Sequence, residues 1–536
     1  MRGPSVWCGT AIAAAMALAG GLRAAVPEPI RTDAGLVSGA AGAAAGVRVF
    51  KGIPYAAPPI GERRWRAPQP VAKWTGVRKA DRFGNVCVQP KGTGRLNIAV
   101  DLPDSPPASE DCLYLNVWTA ARSASERRPV MFWIYGGAYT EGAGSNPNTD
   151  GGALARRGAV VVTFNYRLGP FGFYSHPELT SESEHHASGN QGLMDAIAAL
   201  QWVQTNIAAF GGDPRNVTIF GQSAGAAMAA GLVGSPRTAG LFRRAISESG
   251  AWMGLSIAAM RTLRQAEQPR GRRGEPPPSL LPLAELRAKP ADEIARTLVG
   301  GGLIADGWIV PVDESLTFSQ GRQQPVDVLV GSNRDEGSFA PAMTAGAWTG
   351  LVRQRWGALA DDYLTLYPAG SDEEATRSFR RSFRDELAWH MRLYASMQAK
   401  RGNRAYWYFF THEPPYAPAA RNIGTAHAAE IPYVFDNLAA PRLFPDASSP
   451  ELASKSTSDR ALAERLSSYW VNFARTGDPN GKGLPPWPAF AEATAGKPAV
   501  AEADPMILGE VRETPDPARL AIHDRLYAKI LAGLKP

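Results

Sequence analysis

Asn216-Val217-Thr218-Ile219-Phe220-Gly221-Gln222-Ser223-Ala224-Gly225-Ala226-Ala227-Met228-Ala229-Ala230-Gly231-Leu232 is the stretch whose reading decides the fold. Residues 216–220 are a short run rich in β-branched and aromatic side chains, as in a buried strand. The alanine-rich stretch from Ala224 to Leu232 favours a helix. Between them stands Ser223 in the only G-x-S-x-G of the chain, a weak pattern by itself in a sequence with 55 glycines. Its setting carries the weight: strand, sharp turn and helix in that order make a nucleophile elbow. Glycine is needed at 221 and 225 because so tight a turn leaves no room for side chains around the serine. The helix start also directs backbone N–H groups toward the reacting centre.

Working outward, the run Pro129-Val130-Met131-Phe132-Trp133-Ile134-Tyr135, ended by Gly136-Gly137, reads as a strand buried on both faces. Ala159 to Asn165 repeats the pattern, and Phe242–Ser247, Val326–Val330 and Tyr406–Phe410 supply further strands. Between Leu193 and Phe210 the apolar residues recur at helical spacing, so this segment is expected to be an amphipathic helix. Strands alternating with helices predict a large, mainly parallel central sheet with helices on both faces, an α/β architecture.

A serine hydroxyl becomes a good nucleophile only when a base takes its proton, so a histidine and an orienting carboxylate must follow it in the chain. The loop Gly331-Ser332-Asn333-Arg334-Asp335-Glu336-Gly337 lies at the carboxyl end of a strand, where such folds hold their catalytic groups, and both Asp335 and Glu336 qualify as the acid. Downstream histidines are His390, His412, His427 and His523. His390 sits in the helical-looking segment 382–399 and His523 in a C-terminal helix, which makes them packing or surface residues. His412 and His427 both follow the strand ending at Phe410, and spacing alone does not separate them.

The chain has 536 residues, 44% hydrophobic and 20% charged, enough to bury a large core. Arg2, the apolar alanine-rich stretch from Val6 to Leu22 and the small residues after it read as a signal peptide over 1–25, leaving one catalytic domain over 26–536. The protein is therefore expected to be exported, periplasmic or secreted, without stable membrane insertion after processing. Cys8 leaves with the leader, so Cys87 and Cys112 remain as an even pair and predict one disulfide. The formal charge is +7, but the basic residues are scattered. The densest run, Pro269 to Gly274, holds only three arginines and reads as a solvated part of the irregular loop 268–278, with no nucleic-acid motif beside it. His185-His186 lacks the helical spacing of a zinc site. No metal or cofactor is expected, and the partner is a small-molecule ester.

Several further motifs resemble the type-B carboxylesterase family, which includes cholinesterases and bacterial para-nitrobenzyl esterases. They are Phe50-Lys51-Gly52-Ile53-Pro54-Tyr55-Ala56, Glu110-Asp111-Cys112-Leu113-Tyr114-Leu115-Asn116, Asn165-Tyr166-Arg167-Leu168-Gly169 and Phe210-Gly211-Gly212-Asp213-Pro214. The likeness runs from about Val47 to Leu508. It implies an α/β-hydrolase fold and a Ser-His-Glu triad in which the acid corresponds to Glu336 and the histidine to His427 in Gly424-Thr425-Ala426-His427-Ala428-Ala429-Glu430. It also implies an oxyanion hole from the N–H groups of Gly137, Ala138 and Ala224. The family's first disulfide corresponds to Cys87 with Cys112, and its ion pairs to Arg64 with Glu110 and Arg167 with Asp195. Two departures stand out. The glycine-rich loop carries Ala138 where many members have a third glycine, and Gln222 precedes the serine where glutamate is common. Neither removes a catalytic group. Amidases or peptidases using the same triad, and non-catalytic binding proteins on the same fold, are the rival readings.

Overall fold

The computed structural model describes residues 26–89, 105–253, 260–271, 279–441, 448–490 and 504–533. The leader over 1–25 lies outside the described residues. The apolar runs form the centre of a ten-stranded sheet. Its strands, in chain order, are β1 (Ala40–Ala41), β2 (Arg48–Pro54), β3 (Tyr114–Thr119), β4 (Arg128–Ile134), β5 (Val160–Phe164), β6 (Gly212–Gln222), β7 (Arg244–Glu248), β8 (Asp327–Asn333), β9 (Ala405–Phe410) and β10 (Met506–Leu508). Across the sheet they run β10-β9-β8-β7-β6-β4-β5-β3-β2-β1. Every neighbouring pair from β10 to β5 is parallel, while β3, β2 and β1 attach antiparallel at the other edge. The sheet is thus mixed, with a parallel centre as expected.

Residues Val160–Phe164 of β5 and Ala405–Phe410 of β9 are buried without alternation, which only a strand covered on both faces permits. The cover comes from helices α1 (Gln191–Asn206), α2 (Ala224–Gly234), α3 (Asp372–Ala399) and α4 (Thr457–Thr476), with α5 (Pro517–Gly533) packed on α3. Among them, α2 packs on β6 and β7, α3 on β8 and β9, and α4 on β4 and β6. The expected helix from Leu193 to Phe210 tightens after Asn206 into a 3₁₀ turn, Ile207–Phe210, and stops at Gly211 with φ of 85°. Strand β6 starts earlier than Asn216, at Gly212, but its register shifts between Gly212 and Val217. Pro214 has no N–H to donate and the Arg215 N–H turns to its neighbour Asp213 instead (3.0 Å), so pairing lapses there.

Strand β4 is followed in the chain by β5 on one side, whereas β6 lies on its other side. The strand order therefore reverses at β4, and the crevice outside the carboxyl ends of β4 and β6 is where an open α/β sheet binds ligands. The loop beginning at Tyr135 and the serine turn at Ser223 both emerge there.

Cys87 and Cys112 are joined in a disulfide that spans 25 positions. Beside it, Arg64 clasps Glu110 (2.6 and 2.8 Å) and donates to the carbonyls of Leu286 and Lys289, tying the bridged segment to a distant stretch of chain. Arg167 holds buried Asp195 in the same two-pronged way (2.7 and 2.8 Å). Replacing both cysteines by serine is expected to lower unfolding stability by about 3 kcal/mol, because the cross-link restricts the unfolded chain. Denaturant titration of the two proteins checks this, and an unmoved midpoint refutes it.

Candidate active site

Strand β6 delivers Ser223 at φ 57° and ψ −125°, a left-handed backbone that serine seldom adopts. The turn is held by the Ser223 N–H, which donates to the Glu248 carbonyl (2.9 Å), and by the Ala227 N–H, which closes the first turn of α2 onto the Ser223 carbonyl (3.0 Å). A side chain at Gly225 would meet the Ile134 carbonyl oxygen at 2.0 Å, and one at Gly221 would meet Gly225 itself at 2.6 Å. Close packing of the turn on β4 is therefore what restricts these positions to glycine.

The loop after β4 bends through three successive left-handed residues, Gly137 (φ 112°), Ala138 (53°) and Tyr139 (64°). Thr140 and Glu141 donate their N–H groups to the Gly137 carbonyl, which closes the bend. The backbone N–H groups of Gly137, Ala138 and Ala224 make no hydrogen bond among the described residues. An oxygen carrying negative charge is the partner such groups suit.

The loop after β8 carries the candidate acid. Glu336 is fully buried; its Oε2 lies 2.5 Å from His427 Nδ1, and its Oε1 accepts from the Asn333 N–H at 2.8 Å. Asp335 points elsewhere: its carboxylate accepts from the Thr425 N–H (2.8 Å) and pairs with Arg334, so it ties the acid loop to the histidine loop. The choice the residues alone left open between the two histidines is a matter of partners. His412 Nε2 is buried against Tyr433 Oη and Asp459 Oδ1, both at 3.0 Å. His390 and His523 are buried packing residues, with His523 Nδ1 on the Arg519 carbonyl. His185 and His186 are exposed, and His185 stacks on Trp308.

Burial disfavours the charged form of His427, but the charge and hydrogen bond of Glu336 outweigh it, and the imidazole is held above the ordinary histidine value. In this conformation the Ser223 hydroxyl and His427 are not hydrogen-bonded, as is common before substrate tightens a site. The Gln222 amide nitrogen instead lies 3.1 Å from Nε2 and 3.5 Å from Nδ1 of the imidazole. A donor aligned on the Nε2 lone pair would stand about 5 Å from Nδ1. The amide therefore rests against the ring and leaves that lone pair open.

Sequence reading assigns no role to Asn333 or Glu248, and none to Glu430. The Asn333 amide donates to the Ala426 carbonyl (2.9 Å) and to Glu430 Oε2 (2.5 Å), locking the residue before His427 to the acid strand. Glu430 and Glu248 are fully buried, and burial pushes both carboxyls upward. For Glu430 the Glu336 charge adds to the shift, and for Glu248 the Glu430 charge does. The one available signal is the carboxylate three positions after His427.

Comparison with known proteins shows the family to which the chain is similar. A model of the carboxylesterase family matches residues 27–506. The chain is 36% identical to a fumonisin B1 esterase of Sphingopyxis macrogoltabida, over 91% of this chain and 89% of that one. It is also 36% identical to a para-nitrobenzyl esterase of Bacillus subtilis, over 84% and 90%. Among solved structures, a PNB esterase superposes with a TM-score of 0.73 at 31% identity, covering 93% of this chain and 99% of that one. A carboxylesterase of Geobacillus stearothermophilus gives 0.73 at 32%, covering 92% and 99%.

Proposed function

The chain belongs to the carboxylesterase family and is a carboxylic ester hydrolase, and we propose that it works through an acyl-enzyme on Ser223, with His427 as general base and Glu336 as its partner. The observation that carries this reading is the 2.5 Å contact of Glu336 with His427 Nδ1, which fixes a proton on that nitrogen and leaves Nε2 to accept one. His427 takes the Ser223 proton as the oxygen attacks the ester carbonyl. The N–H groups of Gly137, Ala138 and Ala224 receive the oxyanion, each loss costing about 3 kcal/mol of barrier. His427 then protonates the leaving alkoxide, and water repeats the sequence on the acyl-enzyme.

A panel of aryl, alkyl and 4-nitrobenzyl esters with matched amides, and fumonisin B1 because of the first relative, tests the reaction. Labelling by an organophosphate is expected at Ser223 with one adduct per chain. Hydrolysis of amides at rates equal to esters would move the reading to an amidase. We also propose export, which the disulfide supports; among the described residues no helix is long and apolar enough to cross a membrane.

Gln222 gives a pH test. A carboxylate in place of its neutral amide would favour the imidazolium and raise the pKa of the base. The base works when unprotonated, so Gln222→Glu is expected to move the acidic limb of the kcat/KM profile upward by about one pH unit. A limb that stays or moves down in the folded variant refutes the contact.

A further inference from the structure

Away from the serine turn, the structure encloses a cavity of about 230 Å³ with an apolar wall that includes Phe173, Leu281 and Leu298. Its charged lining is three cations, Arg261, Arg270 and Lys289, and two carboxylates, Glu267 and Glu293. Among the described residues, only Lys289 of these cations has a carboxylate partner. Lys289 is held by Glu293 at 2.6 Å, and Glu267 accepts the Thr180 hydroxyl at 2.6 Å. Arg261 is half-buried, and its hydrogen bond to the Gly301 carbonyl is long, 3.5 Å. Neither Arg261 nor Arg270 has a carboxylate partner among the described residues.

A half-buried guanidinium without an anion loses hydration and gains nothing for it. The charge that acts on Arg261 is moreover a like one: burial lowers its pKa, and Arg270 lowers it further, although an arginine remains protonated at neutral pH. A carboxylate between the two would remove the repulsion and satisfy the fork of donors that arginine presents.

A relay of contacts links the cavity wall to the loop after β4. Phe173, in its wall, packs edge-on against Tyr139 with ring centroids 5.0 Å apart, and Tyr139 directly follows Ala138. Gly302 lies so close under the Tyr139 ring that a side chain there would meet it at 2.9 Å, and its neighbour Gly301 is the residue that Arg261 reaches. One short segment thus touches both the arginine and the loop of the candidate oxyanion donors.

We propose that this cavity is a subsite for a free carboxylate of the substrate, held by Arg261 and Arg270, so that the enzyme prefers esters carrying an anionic arm. The proposal rests on the esterase reading and names its substrate class. The apolar wall suits the methylene or aryl part of the arm, and the arginines its end.

The test measures kcat and KM for two matched pairs. One carries the charge on the acyl side, 4-nitrophenyl butanoate against mono(4-nitrophenyl) glutarate; the other carries it on the alcohol side, phenyl butanoate against 3-carboxyphenyl butanoate. In Arg261→Ala, KM for the anionic member of at least one pair is expected to rise by about tenfold, with the neutral member within about twofold. Arg270→Ala gives the same pattern with a smaller rise, Arg261→Lys recovers part of the loss, and added salt weakens the wild-type preference. Equal effects on neutral and anionic members in both pairs, or no effect in either, overturn the subsite. A wild-type protein that cleaves no ester at all overturns the esterase mechanism instead, so the two failures are distinguishable.

Discussion

Ser223→Ala is expected to lower kcat for ester hydrolysis by about 10⁶, because removal of a nucleophile costs as much as removal of the whole triad. The substitution deletes one oxygen and keeps a Cβ, so the left-handed backbone at φ 57° is as strained as before. The Ser223 N–H bond to the Glu248 carbonyl and the Ala227 N–H bond to the Ser223 carbonyl are backbone contacts and survive. Stability is therefore expected to change by less than about 1 kcal/mol, which separates lost chemistry from lost fold. Single-turnover experiments with a chromogenic ester should show no burst and no acylated protein by mass. A variant retaining even a hundredth of the wild-type rate would mean that Ser223 is not the nucleophile.

The parts of this fold legible in the sequence are those where one local rule dominates. Continuous apolar runs mark β4, β5 and β9 nearly to the residue, because strands buried on both faces tolerate no alternation, whereas β8 continues through Gly331-Ser332-Asn333, which read as loop. The strands β1 and β2 at the antiparallel end of the sheet carry no such signal: Arg48 and Lys51 interrupt the apolar residues, and Phe50 to Ala56 is recognisable only as a family motif. At the site, the turn around Ser223 is readable because steric crowding dictates glycine on either side. The roles of His412 and His427 are not separable by spacing, since what distinguishes them is tertiary: Asp459 meets one ring and Glu336 the other. The arginine run at 269–274 reads as a solvated loop, and Arg270 is indeed exposed while also lining a cavity with Arg261. Nothing in the local sequence brings those two side chains together; residues 272–278 of that loop lie outside the described residues.

The second large effect is expected at Glu336, where Glu336→Gln should lower kcat by about 10⁴, the scale on which a misdirected imidazole tautomer costs activity. The carboxylate accepts at both oxygens, from His427 Nδ1 at 2.5 Å and from the Asn333 N–H at 2.8 Å. A carboxamide has only one accepting oxygen. The backbone N–H of Asn333 has no proton to surrender, so the amide oxygen must stay there and the amide nitrogen turns toward the imidazole. Nδ1 then becomes the acceptor, the ring proton moves to Nε2, and the nitrogen facing Ser223 can no longer take a proton. The substitution also removes the charge that outweighs burial at His427, so the residual activity should show its acidic limb at lower pH than the wild type. Glu430, pushed upward by burial and by the Glu336 charge, should titrate lower once that charge is gone. Measuring kcat/KM against pH for Glu336→Gln beside Asp335→Asn decides the assignment. A loss of less than about tenfold at Glu336, with the larger loss at Asp335, would transfer the acid's role to Asp335.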